Sequence, residues 1–286
     1  MANYQELYEG DRETAWCPGC GNFPLRTALV SALGELELSP DQVVMFTGIG
    51  QAAKMPHYIK INGFNGLHGR ALPPAIGQRI GNHKLKVIVE SGDGDTYGEG
   101  GNHLLHNIRR NPDLAHLVHN NQIYGLTKGQ ASPTTGEEIT TAIQPEGVTA
   151  APFNPIRFAL AMEASFVARS FVGDREHLKE IMKAAIKHRG YALVDILQPC
   201  VSFNKVNTYQ WYQKRVYKLD DEYDSSDLEK ALSKSKEWGD KIPIGIFYKE
   251  EKPIFRDQFS HLSDQTLVDQ ELPDPSDRKE LLKEFK

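Results

Sequence analysis

The sequence predicts an α/β fold, in which a parallel β-sheet carries helices on both faces and a C-terminal extension follows. Short apolar runs alternate with segments of helical periodicity between residues 23 and 197, the order expected of parallel strands joined by crossover helices. Several runs end in glycine, aspartate, asparagine or cysteine, and sites in open parallel sheets gather at such strand ends. From about Phe203 the chain becomes rich in Lys, Glu, Asp, Tyr and Trp. We therefore expect a sheet domain at 1–204 and an extension at 205–286 that contacts another subunit.

The first helix is predicted from the spacing of its leucines. Leu25, Leu29 and Leu33 follow one another at steps of four residues, which places them on one helical face. Pro73 and Pro74 suit the first turn of a second helix, over ALPPAIGQRIG. In chain order the predicted elements are helix 23–37, strand and loop 42–50, helix 71–81, strand 85–90, helix 102–110, strand 114–118, helix and strand 158–171, helix 177–188 and strand 191–197.

Composition excludes several classes of function. The 286 residues are 40% hydrophobic and 25% charged, and the net charge is −5, so a nucleic-acid-binding surface is not expected. No apolar run approaches the ~18 residues that cross a bilayer, and the N-terminus is polar and acidic; we expect a cytoplasmic protein without membrane contact. The three cysteines do not form a disulfide framework. A CxxC in a reducing compartment indicates metal, cluster or redox use.

Two polar motifs predict a diphosphate–metal site. Gly92-Asp93-Gly94 and Asn120-Asn121 are separated by 25 residues, and each follows a predicted strand. The strand–helix–strand arrangement between them brings both motifs to one edge of the sheet. Mg²⁺ prefers hard oxygen ligands and completes its shell with phosphate oxygens and water, and glycines allow a close approach of backbone to phosphate. This pattern resembles the thiamine diphosphate fingerprint, GDG followed at such a distance by NN.

A competing fingerprint lies nearer the N-terminus. GIGQAA, residues 48–53, matches the GxGxxA pattern of dinucleotide-binding folds and follows a predicted strand. No acidic residue ends a following strand at the required place, because the next stretch reads KMPHYIKINGF. The sequence therefore favours thiamine diphosphate over NAD or FAD.

Six motifs in a fixed order resemble one enzyme family. They are WCPGCGN, GIGQAAKMP, LHGRALP, GDGDTYGEGGNH, NNQIYGLTKGQASPTT and LQPC, and they extend over 16–200. The chain is similar here to the β subunits of 2-oxoacid:ferredoxin oxidoreductases. The resemblance implies a thiamine-diphosphate-binding fold and oxidative decarboxylation of a small 2-oxoacid to acyl-CoA and CO₂. It also implies an iron–sulfur cluster, 4Fe-4S being favoured, which passes electrons to ferredoxin.

The resemblance also implies roles for individual residues. Those expected to contact thiamine diphosphate are Ile49, Gly50, Gln51, Ala52, His68, Gly69, Arg70, Ala71, Gly94, Asp95, Gly125 and Leu126. Asp93, Asn121 and the backbone carbonyl of Ile123 would hold Mg²⁺. Cys17, Cys20 and Cys200 would ligate the cluster. His68, Arg70 and Lys54 are the candidate catalytic or substrate-binding side chains.

One position departs from the family pattern. The family has a fourth cluster cysteine in the glycine loop, as GIGC, where this sequence has Gln51. Iron–sulfur clusters are usually held by four thiolates, so a three-iron cluster, a non-cysteine ligand or a lost cluster are the alternatives. A different class of function, a zinc-stabilised scaffold without catalysis, would use the same cysteines.

Substrate and partner follow from further expectations. Lys54 could pair with the distal carboxylate of 2-oxoglutarate, which favours that acid, and pyruvate is the alternative. The glutamate that activates the thiamine ring normally lies in a second domain, for which 286 residues leave no room beside the extension. We expect an α subunit to supply that glutamate and the coenzyme A site, in a heterodimer doubled by two-fold symmetry.

Overall fold

The computed structural model describes residues 4–137, 139–262, 265–271, 274 and 282–283. The strands are β1 (Val43–Thr47), β2 (Asn62–Asn65), β3 (Lys86–Gly92), β4 (Leu114–Asn120), β5 (Phe166–Phe171), β6 (Tyr191–Leu197), β7 (Val216–Lys218) and β8 (Ile242–Lys249). The helices are α1 (Asn22–Glu35), α2 (Leu72–Gly81), α3 (Gly101–Arg110), α4 (Pro155–Ala161), α5 (Arg175–Lys187), α6 (Tyr209–Gln213) and α7 (Leu228–Lys234).

The strands of the described chain form one mostly parallel sheet. Their order is β2-β1-β3-β4-β6-β5-β8-β7. The six strands from β2 to β5 pair in parallel, whereas β8 runs antiparallel to β5 and parallel to β7. From β1 the chain passes outward to β2, and from β3 it passes in the opposite direction to β4. The sheet therefore has a topological switch point between β1 and β3, where ligands bind in open α/β sheets.

Alternate residues of the central strands enter two separate hydrophobic cores, one on each face. Met45 and Ile88 belong to the core that contains α1 and α5, whereas Phe46 and Val89 belong to the core that contains α2, α3, α4 and α7. Both faces are covered, so the central strands read as continuous apolar runs. The predicted α/β fold with helices on both faces is confirmed.

The predicted first helix buries its leucines as its periodicity required. Leu25, Leu29 and Leu33 are fully buried, and each contributes about 2 kcal/mol by leaving water. The helix ends at Glu35, two residues before its predicted end, because the backbone turns to a positive φ at Glu37. Strand β2 was not predicted, since all four of its residues are exposed and it forms by pairing with the edge of β1.

The C-terminal tail contributes to the same sheet. The apolar segment PIGIFY lies in β8, which is almost fully buried between β5 and β7. Helix α7 packs against α4 on one face of the sheet. The division of the chain at 204/205 and the contact of its tail with a partner stay predictions. Among the described residues, no helix is long and apolar enough to span a membrane.

Candidate functional site

A cavity of about 130 Å³ lies at the switch point, against the carboxyl ends of β1, β3 and β4. Three loops, one after each of these strands, carry the motifs GIGQ, GDGD and NNQIYG, and the loop after β2 adds His68. The residues that line it are Ile49, Gly50, Gln51, Ala52, His68, Gly92, Asp93, Gly94, Asp95, Asn121, Ile123, Tyr124, Gly125, Leu126 and Thr127. Motifs far apart in the sequence therefore meet at one place.

Asp93 is the most deeply buried acid of this cavity, with 1% of its surface exposed. Ser132 Oγ and Thr134 Oγ1 both donate hydrogen bonds to its Oδ2, at 2.5 and 2.7 Å. Burial raises the pKa of Asp93 to about 6, although the two hydroxyl donors oppose the shift. A buried carboxylate of this kind gains most from a cation, because the cation replaces the lost hydration of the charge.

The turn after β4 separates two sets of side chains. Gln122 has a positive φ of 58°, and its Nε2 donates to the carbonyl oxygen of Thr134 at 3.1 Å on the far side of the loop. Its neighbours Asn121 and Ile123 line the cavity instead. Asn121 Oδ1 accepts the backbone N–H of Ile123 at 3.0 Å. The loop therefore brings a carboxamide oxygen and Asp93 to one cavity.

Glycines leave room for a ligand in this cavity. An added Cβ at Gly50, Gly92 or Gly125 would meet no atom of the described chain within 4 Å. At Gly94, in contrast, a Cβ would lie 2.3 Å from the Tyr124 ring. The open glycines form a cradle in which a diphosphate can lie against the backbone. The donor set, a carboxylate, a carboxamide and backbone, also fits Mg²⁺.

Asp95 connects two of the loops. Its Oδ1 accepts the backbone N–H groups of Ile49, at 3.0 Å, and Gly69, at 2.8 Å. Burial raises the pKa of Asp95, while these N–H donors and the adjacent His68 oppose the shift. His68 Nε2 lies 3.5 Å from Asp95 Oδ1 and 3.6 Å from Glu99 Oε2. The ring is therefore oriented by two carboxylates at the edge of the cavity.

The cysteines lie around a second, smaller cavity of about 50 Å³. Cys17 and Cys20 come from the turn before α1, and Cys200 follows β6. Gln51, which belongs to the loop after β1, also lines this cavity. Three residues, Gln51, Asn121 and Gly125, line both cavities, so the two adjoin.

Polar contacts surround the thiols. Ser202 Oγ donates to Cys17 Sγ at 3.0 Å, and Gln198 Nε2 donates to Cys20 Sγ at 3.5 Å. Burial raises the pKa of Cys20, and the neighbouring cysteines add to the shift. The carboxamide oxygen of Gln51 is buried and has no hydrogen-bond partner in the described part of the chain. Within that part, no three His, Cys, Asp or Glu side chains are grouped so as to hold a single metal ion.

Two family models match the chain. Residues 42–196 match the thiamine pyrophosphate enzyme C-terminal TPP binding domain, and residues 200–264 match the C-terminal part of the pyruvate ferredoxin oxidoreductase beta subunit. The first match includes the whole of the larger cavity. It confirms the thiamine diphosphate fold and excludes the dinucleotide interpretation of GIGQAA.

Curated relatives identify the family. A 2-oxoacid:ferredoxin oxidoreductase subunit beta from Saccharolobus solfataricus is 48% identical over 82% of this chain and 82% of its own length. This chain belongs to the family of 2-oxoacid:ferredoxin oxidoreductase β subunits. A 2-oxoglutarate synthase subunit KorB from Methanocaldococcus jannaschii is 33% identical over 86% of this chain and 92% of its own length.

A solved structure has the same fold as this β subunit. It is a 2-oxoglutarate:ferredoxin oxidoreductase from Magnetococcus marinus with 2-oxoglutarate, coenzyme A and succinyl-CoA bound. It has a TM-score of 0.90 and 32% identity, and the match covers 97% of this chain and 95% of that one. The β subunit is therefore part of an oxidoreductase, and its name implies an α subunit as partner.

The predicted site residues of the β subunit fall into two groups. Most of those named for thiamine diphosphate and Mg²⁺ line the larger cavity, and all three cysteines line the smaller one. Four of the predicted residues, Gly69, Arg70, Ala71 and Lys54, are not among the described residues that line the larger cavity. Arg70 is exposed and Lys54 is half-buried on the turn Ala52–His57. The individual roles of all these residues stay predictions.

Sequence reasoning missed the side chains that support the site. Ser132 and Thr134 contact Asp93 from 39 and 41 residues away. Between the cavities and the core, buried His119 bonds to Glu90 through Nε2 and to Asn22 Oδ1 through Nδ1, the latter at 2.8 Å. Asn22 lines the cysteine cavity. For His119 the available signal was Glu90, a glutamate inside an apolar strand, because such residues are rarely buried unless paired. Ser132 and Thr134 belong to the motif NNQIYGLTKGQASPTT, in which no role was assigned to them.

Proposed function

We propose that this β subunit, together with an α subunit, catalyses coenzyme A-dependent oxidative decarboxylation of a 2-oxoacid and passes the electrons to ferredoxin. 2-Oxoglutarate is the favoured acid and pyruvate the alternative. The observation that carries the proposal is the adjacency of the two cavities, which share Gln51, Asn121 and Gly125. A decarboxylating centre and an electron acceptor must lie close together for such a reaction, and this arrangement supports that.

In the proposal, Asp93, Asn121 and the carbonyl of Ile123 hold Mg²⁺ against the diphosphate. Ser132 and Thr134 both bond to Oδ2 of Asp93, and its Oδ1 takes no side-chain hydrogen bond within the described residues. Thiamine diphosphate, when bound, accepts the electrons released by decarboxylation. The protein contributes placement: Asp95 fixes the Ile49 and Gly69 loops, and His68 faces the cavity beside Asp95.

Cys17, Cys20 and Cys200 would hold an iron–sulfur cluster, with 4Fe-4S favoured. Their arrangement around a cavity supports a cluster there, and Gln51, whose buried Oε1 has no partner in the described chain, lines the same cavity. Amide oxygen is a weaker ligand for iron than thiolate, so Gln51→Cys should slow iron loss. The iron content of wild type and variant, followed during anaerobic incubation with a chelator, measures the rate of iron loss. The alternative function as a zinc-stabilised scaffold requires that the purified wild type contain zinc and no iron. Equal iron loss from wild type and variant would count against Gln51 facing the cluster.

Exposed apolar side chains support a partner at the site. Ile49 and Leu126 line the larger cavity and Leu67 is adjacent to His68, yet all three side chains are exposed, as is Phe64 on β2. An apolar surface of this kind marks an interface. In the proposal this surface is buried against the α subunit, which also supplies the activating glutamate and the coenzyme A site.

The preference for 2-oxoglutarate is tested at Lys54. The relative from Methanocaldococcus jannaschii and the solved structure from Magnetococcus marinus carry 2-oxoglutarate in their names. Lys54 follows the glycine loop and has no ion-pair partner among the residues described. If it pairs with the distal carboxylate, Lys54→Met raises the KM for 2-oxoglutarate about tenfold or more and leaves that for pyruvate unchanged. Lys60→Met, nearby and exposed, is the matched control.

The decisive experiment is anaerobic. The β subunit is co-purified with its α subunit, and coenzyme A-dependent viologen reduction is assayed with 2-oxoglutarate and with pyruvate. We expect reduction that requires both coenzyme A and thiamine diphosphate, faster with 2-oxoglutarate. Absence of reduction with either acid, in a complex shown to contain thiamine diphosphate and iron, would refute the proposed function.

A further inference from the structure

A third cavity, of about 140 Å³, lies on the opposite side of the loop that carries Asn121. Asn120, Gln122 and Thr134 form its floor, and Phe153, Arg169 and Trp238 form its walls. None of these six residues lines the thiamine diphosphate cavity in the described chain. At the end of β4, Asn120 and Gln122 line this third cavity, whereas Asn121 and Ile123 line the thiamine diphosphate cavity.

Arg169, which lines this cavity, is a buried cation with an unused donor. It lies on β5 with 1% of its surface exposed, and its Nε donates to Asp195 Oδ2 at 3.3 Å. Its Nη1 is buried and has no hydrogen-bond partner among the described residues. Asp195 Oδ1 is already satisfied by Tyr97 Oη, at 3.0 Å, and Asn120 Nδ2, at 2.9 Å. A buried charged donor without a partner is unfavourable, so an acceptor from a ligand would stabilise it.

The walls around the guanidinium are aromatic. Arg169 Cζ lies 5.3 Å from the ring centroid of Trp238 and 5.5 Å from that of Phe247. Phe153 adds a further apolar surface, and Trp238 is 40% exposed. A cavity of this size can hold a body of about one benzene ring. The ligand therefore combines an acceptor group with a compact apolar body.

The surroundings favour a negatively charged acceptor. Trp238 also lines a surface groove on the tail, so this groove and the cavity share a wall. The groove carries five cationic side chains, those of Lys214, Arg215, Lys234, Lys236 and Lys241, against two acids, Glu237 and Asp240. A net positive surface next to the cavity raises the local concentration of anions.

We propose that this cavity binds a small carboxylate with a compact apolar body, whose oxygen accepts from Arg169 Nη1. The site is separate from the thiamine diphosphate cavity and does not depend on the proposed reaction. Its floor residue Thr134 donates through Oγ1 to Asp93 Oδ2 at 2.7 Å, and the same oxygen lies 2.9 Å from Asn120 Oδ1. Occupancy therefore contacts a residue that supports the proposed metal ligand.

Calorimetric titration of the co-purified complex tests the proposal, with benzoate as the probe and benzamide as its neutral isostere. Saturating thiamine diphosphate and Mg²⁺ are present throughout. We expect saturable benzoate binding with a Kd of about 1 mM or lower, and benzamide binding weaker by about tenfold or more. Equal binding of the two compounds, or no saturable binding of benzoate, would overturn the proposal.

Two variants locate the binding. Arg169→Lys keeps the charge opposite Asp195 but removes the Nη1 donor, and benzoate affinity should fall about tenfold or more. Trp238→Ala removes a half-exposed wall without touching the Arg169–Asp195 pair, and affinity should fall by a similar factor. Arg175→Lys, on the exposed start of α5, is the matched control. Wild-type benzoate affinity in both cavity variants, with unchanged circular dichroism, would show that the ligand lies elsewhere.

Discussion

The two glycines of the GDG motif should respond in opposite ways to the same added methyl group. In Gly94→Ala the new Cβ would lie 2.3 Å from Tyr124 Cε1, well inside the ~3.5 Å of a carbon–carbon contact. Tyr124 cannot move freely, because its hydroxyl donates to Glu99 Oε2 at 3.1 Å and lies 3.3 Å from Gly94 O. Overpacking of this kind costs about 1–3 kcal/mol. The melting temperature should fall by about 2–4 °C for each kcal/mol lost.

In Gly92→Ala the added methyl enters open space in the described structure. Its backbone has no left-handed φ, so alanine is tolerated and stability should be unchanged or higher by up to about 1 kcal/mol. The methyl occupies part of the cradle expected to hold the diphosphate. Thiamine diphosphate affinity should fall by about 1–3 kcal/mol, or about 5- to 150-fold.

Both variants are assayed as complexes with the α subunit. Thermal unfolding without cofactor measures the melting temperature of each variant. Calorimetric titration with thiamine diphosphate and Mg²⁺ measures its affinity for the cofactor. Wild-type cofactor affinity in Gly92→Ala would refute the assignment of this cavity to the diphosphate. Unchanged unfolding in Gly94→Ala would show that Tyr124 is less constrained than its hydrogen bonds indicate.

Further predictions concern the supporting residues. Thr134→Val removes a donor from buried Asp93, so Mg²⁺ affinity should change and the free energy of unfolding should fall by about 1–3 kcal/mol. Thr27→Val, at an exposed position of α1, serves as control, and equal stability of the two variants would contradict this. Burial lowers the pKa of His116 from 6.5 to about 3, so below pH 6.5 the unfolded chain binds the extra proton. Stability should therefore be full above pH 6.5 and lower by about 2 kcal/mol at pH 5. Urea unfolding at pH 7 and at pH 5 measures this difference in the free energy of unfolding. If His116→Asn loses as much stability between the two pH values as the wild type does, other groups cause the loss.

Much of the fold follows from local pattern. Apolar runs such as LKVIVE and YALVDIL became β3 and β6 because strands covered on both faces need no polar alternation. The leucine face of α1 and the prolines of α2 also lie where local rules place them. The tail was different: β8 is a strand because it pairs with β5, and composition alone could not show that pairing.

The sequence by itself determined the chemistry that the loops can offer. Asp93 and Asn121 follow neighbouring parallel strands, so topology alone brings them to one edge, and the CxxC turn fixes two thiols locally. Only the tertiary structure decided which groups support them. Ser132 and Thr134 reach Asp93 across a long loop, Cys200 joins the other cysteines from β6, and Arg169 keeps a free donor. Contacts between distant segments depend on packing and side-chain direction, and neither is encoded in the spacing of residues along the chain.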